Sequence, residues 1–315
     1  SNNDLYAHLH EMLDYIDEPF ADSSALAVYI LSKETRKKVT VALSGDGADE
    51  LFAGYNKHYA AYNSREINFT NKIIKNTGLI WKMLPKSRNS NFSNLIRKIE
   101  KYSSGLNLDD KERYWRWAGF TEGHQAHEMI HPDLATKINI KEIDQRKSHI
   151  LRHINSSINS ILQSDMELVL ANDMLTKVDM MSMANSLAVR TPFLDYRLVD
   201  FAFSLPESYK IDKENRKKIV KDTFGYLLPD ELLTRKKQGF EVPLLSWFKT
   251  ELKSTIEELL GDKFLEEQKI FNSASVRKLK SKLYSANPED SVARVWALLV
   301  FQWWWKNLNG TQHHH

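Results

Sequence analysis

A glycine-rich acidic segment constrains the fold of this chain more than any other part of its sequence. It spans thirteen residues, Leu43 to Tyr55, and runs Leu-Ser-Gly-Asp-Gly-Ala-Asp-Glu-Leu-Phe-Ala-Gly-Tyr. An alternating β-branched run from Val39 to Leu43 precedes it and predicts a strand, and a helix-like pattern begins near Glu50. With a helix predicted over Ala25 to Lys37, this strand forms half of a parallel βαβ unit.

The residues inside this turn indicate an anion-binding role. Gly45 and Gly47 carry no side chains that would keep a ligand away from the backbone. Asp46 and Asp49 place carboxylates beside amide groups at the start of a helix, so we expect an anion to be held there through a metal ion. The alternative is a strand-to-helix turn without a ligand, in which Asp49 is the helix N-cap.

The same segment closely resembles the second signature of the asparagine synthetase family, Ser-Gly-Glu/Asp-Gly-Ala/Ser-Asp-Glu-Leu/Val-Phe-Gly/Ala-Gly-Tyr. Four further blocks match that family in the same order along the chain. They are Asp17-Glu18-Pro19-Phe20-Ala21-Asp22, Asp173-Met174-Leu175-Thr176-Lys177-Val178-Asp179, Val189-Arg190-Thr191-Pro192-Phe193-Leu194-Asp195 and Arg235-Lys236-Lys237-Gln238-Gly239-Phe240. The five blocks cover most of the chain, although no recognised motif falls between about residues 65 and 155.

The resemblance implies an α/β fold of the adenine nucleotide alpha hydrolase-like (PP-loop ATPase) class. We expect residues 1–312 to form part of one synthetase domain, mostly helical and with an incomplete parallel sheet. The polar stretch at residues 87–94 is the best candidate for a loop or sub-boundary, and Ser285 to Asp290 is another loop candidate. His313 to His315 are interpreted as a purification-tag remnant and are excluded as metal ligands.

In this family the synthetase domain adenylates the side-chain carboxylate of aspartate with MgATP, and ammonia then attacks the acyl-adenylate. Mg²⁺ and cationic side chains must neutralise the triphosphate for this reaction. By resemblance, Asp49 helps to hold Mg²⁺ on pyrophosphate, and Ser44, Gly45 and Gly47 lie at the nucleotide. Asp46 occupies the acidic position implicated in forming the acyl-adenylate or receiving ammonia, where some relatives carry the longer Glu.

The later blocks supply cationic candidates. Lys237 matches the family lysine that contacts the phosphates and stabilises the departing charge. The alternative is that Lys237 and its basic neighbours form only a solvated loop. Lys177 and Asp179 are candidates for the cofactor site, with stabilisation of the pocket wall as the alternative, and Asp173 stands four residues before Lys177 in the favourable order for a helix ion pair.

Two further residues, Arg190 and Asp195, bracket Pro192 in a predicted turn. They predict either a buried ion pair that orders the site or a contact with the ligand.

The first family signature, Ser-Gly-Gly-x-Asp-Ser, occurs nowhere in the 315 residues. In the family this loop supplies phosphate-binding amides and a metal-binding Asp. The amino-terminal glutaminase domain, whose cysteine nucleophile releases ammonia from glutamine, is also absent, and the chain has no cysteine. We therefore expect a truncated piece of a glutamine-dependent asparagine synthetase that has little or no activity alone.

Composition excludes several classes of function. The net charge is +3 from 44 basic and 41 acidic residues, which indicates neither a nucleic-acid nor a membrane partner. Zero cysteines exclude disulfides and thiolate metal sites and fit a cytoplasmic protein. The longest apolar stretch, Val295 to Phe301, is too short to span a bilayer. The oligomeric state is not fixed by the sequence, and a homodimer is one arrangement that the resemblance allows.

Helical periodicity places several groups of residues in the core. Apolar residues from Leu5 to Ile16 predict a helix that Pro19 stops, and those from Ile154 to Val178 predict one long helix with a buried face. Core packing is also expected for the tryptophans near the C-terminus and for a methionine group. These residues are Trp296, Trp303, Trp304, Trp305, Met174, Met180, Met181 and Met183.

Two other functions remain open on the sequence. Enzymes that share the adenylation core, such as β-lactam synthetases and related amidotransferases, activate other carboxylates, and a fold does not select the acyl substrate. The second alternative is a non-catalytic module that binds a nucleotide or acts as a scaffold.

Overall fold

The structure is a computed structural model that describes residues 2–66, 69–86, 91–229, 231–232, 240 and 242–310. Helices make up most of it. In chain order they are α1 (Asn2–Ala7), α2 (Leu9–Tyr15), α3 (Ala25–Arg36), α4 (Ala48–Leu51), α5 (Asn56–Ser64), α6 (Phe69–Asn76), α7 (Gly78–Met83), α8 (Asn91–Leu106), α9 (Asp110–Ala118), α10 (Gly123–His127), α11 (Pro132–Ala135), α12 (Ile140–Ile150), α13 (Ile158–Asp165), α14 (Leu175–Met183), α15 (Tyr196–Ser204), α16 (Lys218–Phe224), α17 (Leu244–Lys249), α18 (Lys253–Leu259), α19 (Asp262–Gln268), α20 (Ser273–Leu283) and α21 (Ser291–Gly310). A π-helix spans Met166–Met174, and 3₁₀ helices span Pro192–Leu194, Glu207–Tyr209 and Gly225–Leu227.

The sheet of the described residues has two parallel strands, β1 (Val41–Leu43) and β2 (Ala188–Arg190). Val41 pairs with Ala188, and Leu43 pairs with Arg190. The predicted strand is therefore confirmed but is shorter than the β-branched run. Parallel strands must be joined by a crossover connection, and here the described residues between the two strands are mostly helical.

The arrangement of helices around the sheet decides which residues share one end of it. Each strand follows a helix through a short connection, α3 before β1 and α14 before β2, and α3 packs on α14. A helix that precedes a strand in an α/β unit runs back along the sheet, so the N-terminal ends of α3 and α14 lie at the end where β1 and β2 finish. Residues near Asp22 and Lys177 therefore share this end with the turn after Leu43.

The first helical pattern forms as predicted but is divided in two. α1 and α2 are separated at His8, and Leu9, Met12 and Leu13 of α2 are buried. Ile16 follows α2 in an extended conformation and is also buried.

A π-helix interrupts the predicted long helix between residues 154 and 178. α13 begins at Ile158 because the Ser157 hydroxyl caps it, accepting a hydrogen bond from the Asn159 amide at 3.2 Å. The chain remains helical from there to Met183, but Met166–Met174 is π-helical. Each turn of a π-helix holds more residues than an α-helical turn. Residues of α13 and α14 that an unbroken α-helix would place on one face therefore lie on different faces. The sequence pattern alone does not reveal this change.

The buried apolar residues form three clusters in the described part of the chain. The largest brings together α2, α3, α17, α18, α20 and α21, with Phe248, Leu252 and Leu299 fully or almost fully buried. A second cluster packs α5, α9 and α13 around Ile158 and Leu162. Leu51 and Phe52 begin a third, which joins the turn to α15. The second half of the turn is thus anchored among packed helices through Leu51, Phe52 and Ala53.

Most of the C-terminal tryptophans pack as expected. Trp296 is 2% exposed in the largest cluster. The indole nitrogens of Trp303 and Trp304 donate to the Asp14 carboxylate and the Asp17 carbonyl at 2.8 and 2.7 Å, which ties α21 to the end of α2. The prediction for the methionines holds for Met181, which is fully buried, and is wrong for Met183, which is 52% exposed.

None of the described helices has the length and apolar character required to cross a membrane.

Candidate active site

Ser44 stands where both strands end. Its amide donates to the Arg190 carbonyl at 2.8 Å, which extends the parallel pairing by one residue beyond Leu43. The carboxyl ends of parallel strands are the usual place for ligands in open α/β sheets. The turn that the sequence singles out is therefore at the end of the sheet where a ligand site is expected.

Ser44 and Asp46 form a hydrogen-bonded pair next to an open stretch of backbone. The Ser44 hydroxyl donates to Oδ2 of Asp46 and accepts from the Asp46 amide at 3.3 Å. Gly45 between them is exposed, and no atom lies within 4 Å of the place where a Cβ would be. A ligand can thus approach the backbone at Gly45 while the two flanking side chains are held in place.

Gly47 has a different role from Gly45. It is buried and has a φ of 90°, a left-handed conformation that glycine adopts at little cost. A Cβ at this position would lie 2.3 Å from Cδ2 of Leu194, in the segment that follows β2. Gly47 is also the N-cap residue of α4, so the expectation that Asp49 caps the helix is wrong. Gly47 fixes the close approach of the turn to the neighbouring segment.

Asp49 lies in the first turn of α4 and faces a lysine from a distant part of the chain. Its Oδ1 atom is 3.1 Å from Nζ of Lys217, and 20% of its side chain remains exposed. A Cβ on Gly54 would lie 1.7 Å from Oδ1 of Asp49 and 2.4 Å from Cε of Lys217, so this glycine makes room for both side chains. Lys217 belongs to none of the recognised motifs, and sequence reasoning missed it.

Metal binding at this turn is limited by the number of ligands. The part of the chain that the structure describes contains no group of three or more His, Asp or Glu side chains that could hold a metal ion. Mg²⁺ usually takes one or two carboxylates together with phosphate oxygens and water. The single carboxylate of Asp49, 20% exposed in the turn that follows β1, fits a metal that is held mainly by a polyphosphate.

Behind the turn, a buried polar cluster surrounds Asp165. Oδ1 of Asp165 accepts from Nζ of Lys57 at 2.5 Å and from the Tyr114 hydroxyl, and Oδ2 lies 2.6 Å from Nε2 of His58. Asp165 and His58 are fully buried. The sequence gives little signal for this cluster, since 107 residues separate Asp165 from His58.

The charges in this cluster are compensated. Burial opposes ionisation of Asp165, but attraction to Lys57 and the hydrogen bond from His58 outweigh it and lower the pKa to about 2. Burial lowers the pKa of His58 against the opposing effect of Asp165, so the ring is neutral at pH 7. Asp165 is thus a buried carboxylate that holds the first residues of α5, directly after the glycine-rich segment.

The neighbouring pair of Glu50 and Tyr55 ties the middle of that segment to its last residue. The Tyr55 hydroxyl donates to Oε1 of Glu50 at 2.6 Å, and Glu50 is 1% exposed. Burial raises the pKa of Glu50 despite this hydrogen bond and raises the pKa of Tyr55 as well. The conformation of the segment therefore depends on α5 at its far end.

Lys177 faces Asp22 at the same end of the sheet. Its ammonium donates to Oδ2 of Asp22 at 2.6 Å and to the Ser24 hydroxyl at 3.0 Å, and the residue is 7% exposed. The expectation that Lys177 pairs with Asp173 is wrong within the described residues, because the Lys177 ammonium forms its ion pair with Asp22. Burial and then repulsion from Asp22 raise the pKa of Asp173 to about 6.

Asp22 and Asp173 line a cleft of about 1080 Å³. Its walls combine aromatic side chains, Phe120, Phe240 and Trp296 among them, with polar and acidic ones. The described residues that line this cleft include none from Ser44 to Asp49. The predicted site residues therefore fall into two groups at one end of the sheet, one at the turn and one at the cleft.

The remaining candidates are placed as follows. Asp179 is exposed, two residues after the buried Lys177, so the two side chains do not share a helix face. Arg190 is exposed, and the carboxylate of Asp195 pairs with Arg197 at 2.7 Å, so the predicted pair of Arg190 and Asp195 is wrong. Lys237 lies outside the described residues.

Comparison with known proteins assigns the family. The model of the asparagine synthase family matches residues 1–306. The glutamine-hydrolysing asparagine synthetase 1 of Bacillus subtilis is 28% identical over 301 residues, which cover 94% of this chain and 45% of that protein. A putative asparagine synthetase of Mycobacterium tuberculosis is 28% identical over 314 residues, covering 96% of this chain and 45% of its own length.

A glutamine-hydrolysing asparagine synthetase of Rattus norvegicus is 34% identical over 98 residues, which is 29% of this chain and 17% of that protein. A turn at the ends of two parallel strands agrees with the α/β synthetase domain that the sequence motifs indicate. The chain belongs to the asparagine synthase family. It spans a little under half the length of these two bacterial relatives.

Proposed function

We propose that this chain is the C-terminal part of a glutamine-dependent asparagine synthetase. The whole protein would activate the side-chain carboxylate of aspartate with ATP to form β-aspartyl-AMP, and ammonia would then convert it to asparagine. The observation that carries the proposal is the position of Ser44 and Gly45 at the ends of two parallel strands, with Asp49 close by, in a chain of the asparagine synthase family.

The residues of the turn have different roles in binding MgATP. The accessible backbone at Gly45 and the Ser44 hydroxyl contact the nucleotide, and Gly47 holds the turn in the conformation that brings them there. Asp49 supplies one carboxylate to Mg²⁺. When bound, the metal neutralises part of the charge on the triphosphate, so that the substrate carboxylate can approach it.

Asp46 and Lys237 are the proposed catalytic residues. Asp46, oriented by Ser44, acts during formation of the acyl-adenylate or capture of ammonia. Lys237 stabilises the charge on the departing pyrophosphate, as an ammonium on a long side chain can. Lys177 and Asp179 belong to the cofactor region, and the ion pair between Lys177 and Asp22 supports the cleft wall there.

The partners follow from the family. The whole protein would take aspartate and glutamine as substrates, with a glutaminase domain supplying ammonia, and it would work in the cytoplasm without nucleic acid or membrane. A homodimer stays a prediction. Because the 315 residues contain no Ser-Gly-Gly-x-Asp-Ser loop, we expect this chain alone to have little or no synthetase activity.

Pyrophosphate release by the full-length parent, with MgATP and a panel of carboxylic acids, tests the proposal. Aspartate should give the highest turnover, and Asp49→Asn should lower it by about 100-fold or more, as expected for loss of a charge that stabilises the transition state. The matched control is Asp133→Asn, which changes a carboxylate that is 77% exposed and should leave turnover unchanged.

Two outcomes would replace the proposal with the alternatives. Turnover with another carboxylate but not with aspartate would indicate a related adenylating enzyme, such as one of the β-lactam synthetase type. ATP binding by calorimetry without pyrophosphate release from any acid would indicate a non-catalytic nucleotide-binding module. Robust turnover by the 315-residue chain itself would refute only the claim that this piece is inactive.

A further inference from the structure

Hydrogen bonds hold Lys217 against the turn, in addition to its ion pair with Asp49. Its amide donates to the Phe52 carbonyl at 3.0 Å. The guanidinium of the preceding residue, Arg216, donates to the Gly54 carbonyl at 3.2 Å and to the Asn56 side chain at 2.6 Å. Lys217 and the residue before it are therefore fixed to the segment that carries Asp49.

The backbone of Lys217 also adopts an unfavourable conformation. Its φ of 53° lies in the left-handed region, which is unfavourable for a residue with a side chain. Strained backbone of this kind persists only where surrounding contacts determine it, and it is concentrated at functional sites. Here the strain directs the side chain of Lys217 toward Asp49.

The resulting ion pair is partly accessible. Lys217 retains 30% and Asp49 20% of their side-chain exposure, and the Oδ1 atom of Asp49 that faces the ammonium is buried. Gly54 leaves room for Cε of Lys217 and for the Asp49 carboxylate at once. The ammonium therefore neutralises the carboxylate from the buried side, while part of the Asp49 side chain stays open to a ligand.

We propose that Lys217 is a positioning residue that makes metal binding at Asp49 depend on a polyphosphate. A carboxylate already neutralised by an ammonium attracts a divalent cation weakly, so the metal binds there only when phosphate oxygens provide the additional negative charge. This inference rests on the proposed function, in which Asp49 holds the metal. It adds that Lys217 suppresses occupation of the site by the free ion.

Titration of the full chain with Mn²⁺ alone, followed by electron paramagnetic resonance, tests the proposal without reference to activity. Lys217→Asn removes the charge, and asparagine tolerates the left-handed backbone. This variant should bind free Mn²⁺ about two- to fivefold more tightly than the wild type, a range typical of losing one partly exposed charge. Lys217→Arg, which retains the charge, should bind Mn²⁺ as the wild type does.

Asp49 provides the test of location. In the double variant Lys217→Asn with Asp49→Asn, the gain in Mn²⁺ affinity should disappear. Lys269→Asn is the matched control, because Lys269 is exposed and has a φ of 57° at the end of another helix. It should leave the affinity unchanged. A merely structural loss at position 217 would weaken binding, not strengthen it.

The outcomes separate this inference from the proposed function. Equal Mn²⁺ affinity in Lys217→Asn and the wild type, or a gain that survives Asp49→Asn, would overturn the role of Lys217. The role of Asp49 is tested separately with manganese pyrophosphate and the full-length parent, and equal binding by wild type and Asp49→Asn would overturn it. If Lys217→Asn fails to fold, Lys217→Gly removes the same charge without backbone strain and gives the same comparison.

Discussion

The ring of His58 and the carboxylate of Asp165 meet at 2.6 Å in a place that solvent does not reach. Lys57 and Tyr114 bind the other oxygen of the same carboxylate. Through these contacts α13 holds the start of α5, which begins one residue after the glycine-rich segment ends. The position of the turn therefore depends on a buried charge more than a hundred residues away.

Replacement of Asp165 by Asn should destabilise the fold strongly. The variant leaves the Lys57 ammonium without its compensating charge, and removal of one partner from a buried ion pair costs about 3–5 kcal/mol. Urea denaturation of the variant and the wild type measures the change in the free energy of unfolding. Asp133→Asn, at an exposed position, should change it by about 0.5 kcal/mol or less. A loss below about 1 kcal/mol in Asp165→Asn would contradict the assigned role.

The same carboxylate predicts how stability changes in acid. Its pKa is about 2 in the folded chain and 3.8 ordinarily, so the unfolded state binds the proton more readily. The stabilisation is complete above about pH 4 and is lost as the pH falls toward about 2, a total of about 2 kcal/mol. The difference in unfolding free energy between wild type and Asp165→Asn should shrink across this window, and a constant difference would argue against a depressed pKa.

The sequence predicts the local elements better than the contacts between them. The strand before Ser44, the helix after Asp22 and the turn between Leu43 and Tyr55 are all confirmed in kind, because alternation, capping residues and glycines act over a few residues. The block from Asp173 to Asp179 is helical, as its sequence predicts. The partner of Lys177 is not predicted, since Asp22 lies 155 residues away.

Lys217 shows why contacts between distant parts of the chain are not predicted from the sequence. In the sequence it is one of several basic residues before α16, and nothing in its spacing indicates a left-handed backbone or a contact with Asp49. The π-helix after Asp165 escapes for a similar reason, because apolar residues continue through it with nearly helical spacing. Both features arise from packing between distant segments, which a local pattern does not encode.

The two glycines of the turn should respond differently to alanine. In Gly47→Ala the new Cβ meets Leu194 and the φ of 90° becomes strained, so we expect a loss of about 2 kcal/mol or more. Gly45→Ala meets no atom within 4 Å, and its stability should stay within about 0.5 kcal/mol of the wild type. Urea denaturation of both variants provides the comparison. Equal losses would show that Gly47 does not control the turn.

Lys210 provides a prediction at alkaline pH. It is fully buried, with Nζ 2.7 Å from Oδ1 of Asn159 and 4.9 Å from the centre of the Phe203 ring. No carboxylate pairs with it among the described residues, and burial lowers its pKa from 10.5 to about 8. Between these values the unfolded state binds more protons than the folded state, so stability should rise with pH from about 8 to about 10.5.

The effect of this lysine can be isolated by comparing variants. In Lys210→Met the rise should vanish, so the wild type should gain up to about 3 kcal/mol relative to the variant across the window. Denaturation at a series of pH values measures this difference, with Lys263→Met at an exposed position as the control that should retain the rise. If the unfolding free energies of wild type and Lys210→Met change equally with pH, burial does not lower the pKa of Lys210.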